Sequence, residues 1–212
     1  MRIPVAEGVT QGEGAVAFAM LSDVPSASLL RRNADDLADS RAGMLEHASA
    51  TLHVRGVSRD AAAAIRGHGL AVSERAANGA VVPAAIAADE ELTRLFDAAV
   101  EEAEFVRGEL LRALEDAMAD EPNALVRRKR AREAADALVP AAAETELVAT
   151  GTYRAWREFI AARASEHADI EIRELAVACL EILKKQAPAL FDDFLISTLA
   201  DGSVMATSPY AG

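Results

Sequence analysis

The sequence predicts an α+β fold in a single domain, and three observations carry that expectation. Residues 45–55 alternate apolar and polar side chains, the period of a half-buried strand. Residues 89–114 carry Leu92, Leu95, Phe96, Ala99, Ala103, Val106, Leu110 and Leu114 on one helical stripe. Near the C-terminus, residues 195–199 and 204–207 flank Asp201-Gly202, a hairpin signal. Strands and helices therefore alternate irregularly along 212 residues, without an internal repeat and without a Gly/Ser-rich linker.

Residues 1–30 are weakly patterned and suit a ragged start or a short strand. In the strand at 45–55, Ala48, Ala50, Leu52 and Val54 share the apolar face, and His47, Ser49, Thr51 and His53 share the other. Gly56 ends it, and Ser58 suits the N-cap of a short helix over 61–66. Residues 67–79 hold Gly67, Gly69 and Gly79 without a clean period and read as a loop. After the long helix, Pro122-Asn123 breaks the pattern, and a second helix runs from about 124 to 138, stopped by Pro140. Residues 144–149 suit a strand. A helix is expected over 150–173, then another through Lys185 that ends before Pro188.

Composition excludes several classes. The hydrophobic share is 51%, with only 4% aromatic residues, which suits a core of closely packed helices. A net charge of −12 disfavours a nucleic-acid grip. The basic cluster Arg127, Arg128, Lys129, Arg130 and Arg132 suits a solvated helix face, with an anion site as its alternative. Cys179 lies in an apolar run and reads as a core thiol; one cysteine allows neither an internal disulfide nor a thiolate cage. No transmembrane span or signal-type apolar region is visible, so the expectation is a cytoplasmic protein without a membrane partner.

The segment 150–173 concentrates the unusual chemistry. On a continuous helix Thr152, Trp156, Arg163 and His167 fall on one stripe with Phe159, Ile160 and Ile170. Arg163 and His167 would then stand one turn apart, and a planar guanidinium suits a phosphate or the two oxygens of a pyrimidine. The structural alternative pairs Arg163 with Glu166 or Glu171 and leaves His167 as a satisfied core histidine. Thr150 or Thr152 can cap the helix. His47 and His53 would lie about 20 Å apart along a strand, too far to share a metal, and no metal site is expected. There is no nucleophile elbow, phosphate loop or dinucleotide fingerprint. Any chemistry must come from an organic cofactor.

These residues resemble a family. Thr150-Gly151-Thr152-Tyr153-Arg154-Ala155-Trp156-Arg157, followed by Arg163-Ala164-Ser165-Glu166-His167-Ala168-Asp169-Ile170-Glu171-Ile172-Arg173, looks like the C-terminal signature of flavin-dependent thymidylate synthases (ThyX). Leu45-Glu46-His47-Ala48-Ser49, Pro122-Asn123-Ala124 with Arg127-Arg128-Lys129, and Thr198-Leu199-Ala200-Asp201-Gly202 with Ala206-Thr207-Ser208-Pro209 extend the likeness to actinobacterial members over about residues 40–210. The resemblance implies an antiparallel sheet flanked by helices and a homotetramer with FAD at subunit interfaces. It also implies C5 methylation of a uridylate-type nucleotide from methylenetetrahydrofolate, with NADPH as reductant. Carried over, Arg163 would contact and polarise the uracil. His47, Arg66, His68, Thr152, Arg154 and His167 would line the flavin site. Ser73, Glu74 and Arg75 would meet the substrate.

The chain also departs from the family pattern. Where the family reads Arg-His-Arg, a spacer and Ser-x-Arg, this chain reads Arg66-Gly67-His68 and a shorter segment to Pro83. Without a gap, the serine and arginine positions fall on Ala76 and Asn78; with a deletion in the spacer, they fall on Ser73-Glu74-Arg75, the register that keeps both groups. Asp136 stands where the family usually has an arginine for the substrate phosphate, and Thr152 stands for an asparagine. An anion there would repel a phosphate. Three readings follow: a methylating enzyme acting on dUMP, UMP or a modified relative; a non-catalytic protein or one completed by a ThyX-type partner subunit; and a flavin enzyme with folate-independent chemistry.

Overall fold

Alternating side chains from Ser49 to Arg55 make one of the two central strands of the sheet. The computed structural model describes residues 15–21, 44–46 and 48–210; His47 lies outside them. β1 (Ala15–Leu21) pairs antiparallel with β2 (Ser49–Ser58). β2 buries Ala50, Leu52 and Val54 and turns Thr51 and His53 the other way, as its alternation predicts. The sheet order is β1-β2-β4-β3, with β3 spanning Ala71–Ala80 and β4 Ala143–Thr152. Thr51 meets Thr150 while His53 meets Glu146. Partner numbers that fall as the strand number rises mean that β2 and β4 run antiparallel.

Helices of the first unit pack on the apolar face of β2. α1 (Arg59–Ile65) starts at Ser58, whose hydroxyl accepts from Ala61 N–H at 3.0 Å. α2 is one turn (Ala84–Ala87), α3 spans Glu90–Ala117, and α4 spans Ala124–Ala135. α5 (Tyr153–Arg163), α6 (Ile170–Gln186) and the single turn α7 (Pro188–Phe191) follow β4. A hairpin of β5 (Leu195–Thr198) and β6 (Val204–Thr207) closes the described chain around Gly202 at φ +84°. The α+β expectation and the hairpin hold. The chain divides into two compact units, Met1–Ala77 with Thr145–Gly212, and Asn78–Glu144.

In the first unit Trp156, Tyr153, Phe159 and Phe191 are fully buried with Leu52, Leu147 and Leu180. Trp156 Nε1–H donates to the Ala50 carbonyl at 3.1 Å, so α5 is fixed to β2 by area and by a satisfied polar atom. Cys179 is buried among these groups, and burial pushes its thiol up to about 12. Arg157 spans Asp193 with both ends of its guanidinium, and Ser208 donates to the same carboxylate. The α5 signature arginine next to Trp156 thus holds the C-terminal segment.

Three sequence expectations are corrected. Residues 71–80 form an edge strand, not a loop: most positions are exposed, so they show no alternation, and pairing with β4 overrides their weak β-propensity. The strand at 144–149 runs on to Thr152, so residues 150–152 are not helical. The helix expected over 150–173 is two helices broken at 164–169. Nothing in that stretch breaks a helix locally. The break is tertiary: Ala164 C=O accepts from Ala206 N–H of β6 at 2.9 Å, and buried Arg173 donates to the carbonyls of Glu166 and Ala168.

The second unit is a helical hairpin. Asp89 caps α3 and Asn123 caps α4. α3 carries the apolar stripe read from the sequence, yet none of its residues is buried, and Leu95 and Phe105 are 69% and 62% exposed. On α4 the basic cluster is mostly exposed, with Lys129 beside Glu133 and Arg130 beside Glu121, as a solvated face requires.

A Cβ at Gly151 would lie 2.2 Å from Leu70 Cδ2, whereas a Cβ at Gly67 would meet nothing. Gly151→Ala is expected to cost about 1–3 kcal/mol by overpacking, and Gly67→Ala within about 0.5 kcal/mol of wild type. Urea unfolding of both variants checks this; equal midpoints would contradict the close approach.

Candidate functional site

The Leu70–Gly151 contact delivers the site. It seats the turn after α1 against the β4–α5 junction, with Gly69 at φ +71°, a backbone that only glycine adopts freely. Thr152 serves both as the last β4 residue and as the N-cap of α5, accepting from Ala155 N–H at 3.2 Å. At the far end of α5, Arg163 Nε–H donates to His68 Nε2 at 3.0 Å. A guanidinium only donates, so His68 must accept at Nε2 and carry its proton on Nδ1. The Phe159 and His68 rings pack in a T-shaped pair with centroids 5.5 Å apart. Burial, and then the Arg163 charge, hold the His68 pKa below its ordinary value.

The ion-pair alternative for Arg163 fails. Glu171 accepts from Ser58 N–H at 2.6 Å, and Glu166 lies 3.7 Å from His167. Among the described residues Arg163 has no carboxylate at ion-pair distance. His167 is neither one turn from Arg163 on a helix nor a core histidine: it sits in the break with its side chain 88% exposed.

Arg66, Arg75, Arg154 and Arg157 of this unit are engaged with acids. Arg154 bridges Glu46 and Glu158, at 2.7 and 2.9 Å. Arg66 meets Glu74 at 2.9 Å. Ser73 and Arg75, two apart on β3, line a shallow cleft of about 240 Å³ with His53, Glu74, Glu146 and Val148. Here Arg75 Nη2 donates to one Glu146 oxygen at 2.5 Å and His53 Nε2–H to the other at 2.6 Å. Glu146 is therefore held below the usual carboxylate range, by Arg75 first and His53 second. Sequence reading missed Glu146; its signal was the β4 alternation, which turns Glu146, Val148 and Thr150 away from buried Leu147 and Ala149. In the second unit Asp136 is neutralised by Arg107, whose Nε donates at 2.8 Å. The carboxylate at that position is therefore not the bare anion the sequence suggested.

Comparison with known proteins decides the family. The model of the Thy1 family, described as thymidylate synthase complementing protein, matches residues 26–189. The chain belongs to the flavin-dependent thymidylate synthase family. A Corynebacterium aurimucosum flavin-dependent thymidylate synthase is 53% identical over 176 residues, covering 79% of this chain and 71% of the relative. A Corynebacterium diphtheriae relative of the same name is 49% identical over 175 residues (79% and 69%), and one from Mycobacterium tuberculosis 47% over 176 (79% and 70%).

The donor chemistry of this ThyX-family chain suits an anionic nucleotide cofactor. Arg154, Arg163, the outward hydroxyls of Thr51 and Thr150, and His68 lie in one compact unit and offer cations and neutral donors to phosphate and ring oxygens. No group of three or more histidine, cysteine or acidic side chains suited to a metal occurs among the described residues, and none of the described helices is long and apolar enough to cross a membrane.

Because the folded state lowers the His68 pKa, the unfolded state binds more protons below pH 6.5. Stability from this group is full above that value and is lost as pH falls through the folded pKa. NMR titration of His68 should give a midpoint below 6.5, rising in Arg163→Met. A midpoint unmoved by that substitution would show that Arg163 does not act on His68.

Proposed function

We propose that the protein is a cytoplasmic flavin enzyme that methylates C5 of a uridylate-type pyrimidine nucleotide: dUMP, UMP or a modified relative. FAD is the cofactor, methylenetetrahydrofolate the carbon donor and NADPH the reductant. The observation that carries this reading is the Arg163 guanidinium, held through Nε by His68 and free of carboxylates among the described residues. Its Nη donors remain for the two oxygens of a pyrimidine ring, where developing negative charge is stabilised. Bound FAD supplies the one-carbon relay and the hydride. Arg154 and the Thr150 and Thr152 hydroxyls support its binding beside the ring, with His47 and Arg66 as further contacts. His167, exposed in the helix break, suits a ligand shared with a second subunit. Ser73 and Arg75 serve the nucleotide from β3, and Glu74 steadies Arg66.

The active form on this reading is a homotetramer. The support within the chain is α3, whose exposed Leu92, Leu95 and Leu110 share one helical stripe that association would remove from water. One observation favours a second reading, a protein needing a ThyX-type partner subunit: Arg66, Arg75 and Arg154 each hold a carboxylate of the same chain.

The purified protein is expected to be yellow and to form a 5-methylated product from dUMP or UMP with methylenetetrahydrofolate and NADPH. No product from dUMP, UMP or uridine overturns the enzymatic reading, and product only after mixing with a second ThyX chain supports the alternative. Arg163→Ala should lower kcat/KM by about 100- to 1000-fold while the protein stays yellow. Retained activity would remove Arg163 from the reacting site.

A further inference from the structure

The cleft between β2, β4 and β3 already contains an anion. Glu146 reaches it from β4, and both its oxygens are taken, one by Arg75 at 2.5 Å and one by His53 at 2.6 Å. Arg75 is 80% exposed and faces solvent, while Glu146 beside it is 22% exposed. A ligand arriving from solvent therefore meets a guanidinium whose charge is offset from within. Glu74, the other acid at the cleft among the described residues, is paired with Arg66. The Arg75 charge in the cleft is thus matched by Glu146, so a phosphate dianion entering it finds no net positive charge and meets the Glu146 carboxylate at short range.

We propose that Glu146 is a specificity-determining residue: it occupies Arg75 as an internal anion, weakens binding of phosphate dianions, and matches the cleft to groups that bring hydroxyl donors. Each Glu146 oxygen keeps a further lone pair after its present bond, and Ser73 adds a hydroxyl, so sugar hydroxyls find acceptors there. The carboxyl stays ionised across working pH, because Arg75 and His53 both hold its proton affinity down. Acidification within that range does not lift the restriction. The inference rests on the reading of Arg75 as a substrate residue, and it moves selectivity from the pyrimidine ring to the phosphate and sugar.

The test titrates inorganic phosphate into the full-length protein, followed by NMR of His53 in wild type, Glu146→Gln and Glu146→Ala, and in each variant combined with Arg75→Ala. Two variants guard against one misfolding. Both Glu146 substitutions are expected to tighten phosphate binding by about tenfold or more, and Arg75→Ala should abolish the gain. Phosphate binding no tighter than wild type in both variants, including no binding by any protein, overturns the proposal, as does a gain that survives Arg75→Ala. If the gain appears but dUMP and UMP still neither bind nor react, Glu146 keeps its role and the uridylate reading of the cleft fails.

Discussion

At Gly151 the backbone leaves room for Leu70 and for no side chain of its own. That contact lies where β4 hands over to α5, and Leu70 follows His68 by two residues. Packing there fixes the turn after α1 against the start of α5, and the length of α5 carries Arg163 back to His68. Thr152 makes the junction tight by ending the strand and capping the helix with one side chain. The cap contributes about 1 kcal/mol, but its larger effect is geometric. A helix entered at another angle would not bring its last residue to the imidazole.

Several arginine charges in this chain are consumed internally. With a net charge of −12, arginines are scarce relative to acids, and Arg66, Arg75, Arg107, Arg154 and Arg157 each hold a carboxylate. Exposed pairs of this kind contribute little to stability. Their consequence is for ligands, which must displace or share the acid. Arg163 differs because its anchor is a neutral imidazole whose protonation is disfavoured by burial and by the arginine itself. A neutral acceptor orients the guanidinium without cancelling its charge.

The sequence made much of this legible, and its failures have physical reasons. The β2 alternation, the Ser58 and Thr152 caps and the Asp201-Gly202 turn are local signals, and each is present, although β2 starts at Ser49 rather than 45 and runs through Gly56 to Ser58. The helix break at 164–169 has no local signal, since Ala, Ser, Glu and His tolerate a helix; it exists because β6 takes the Ala164 carbonyl and Arg173 takes those of the turn. That break separates His167 from Arg163. β3 was hidden because an edge strand needs no alternation. Most informative was Arg66-Gly67-His68: the histidine that looked like a defect in the family pattern is the group that holds Arg163.

The central claim is that Arg163, oriented by His68, addresses the pyrimidine. A crystal structure of the protein with FAD and dUMP or UMP tests it most directly, through the distance from the Arg163 Nη atoms to the pyrimidine oxygens. The account predicts a hydrogen bond of about 2.7–3.2 Å there, with Nε still on His68. A ring bound away from Arg163, or a guanidinium turned from His68 onto a carboxylate, would contradict it.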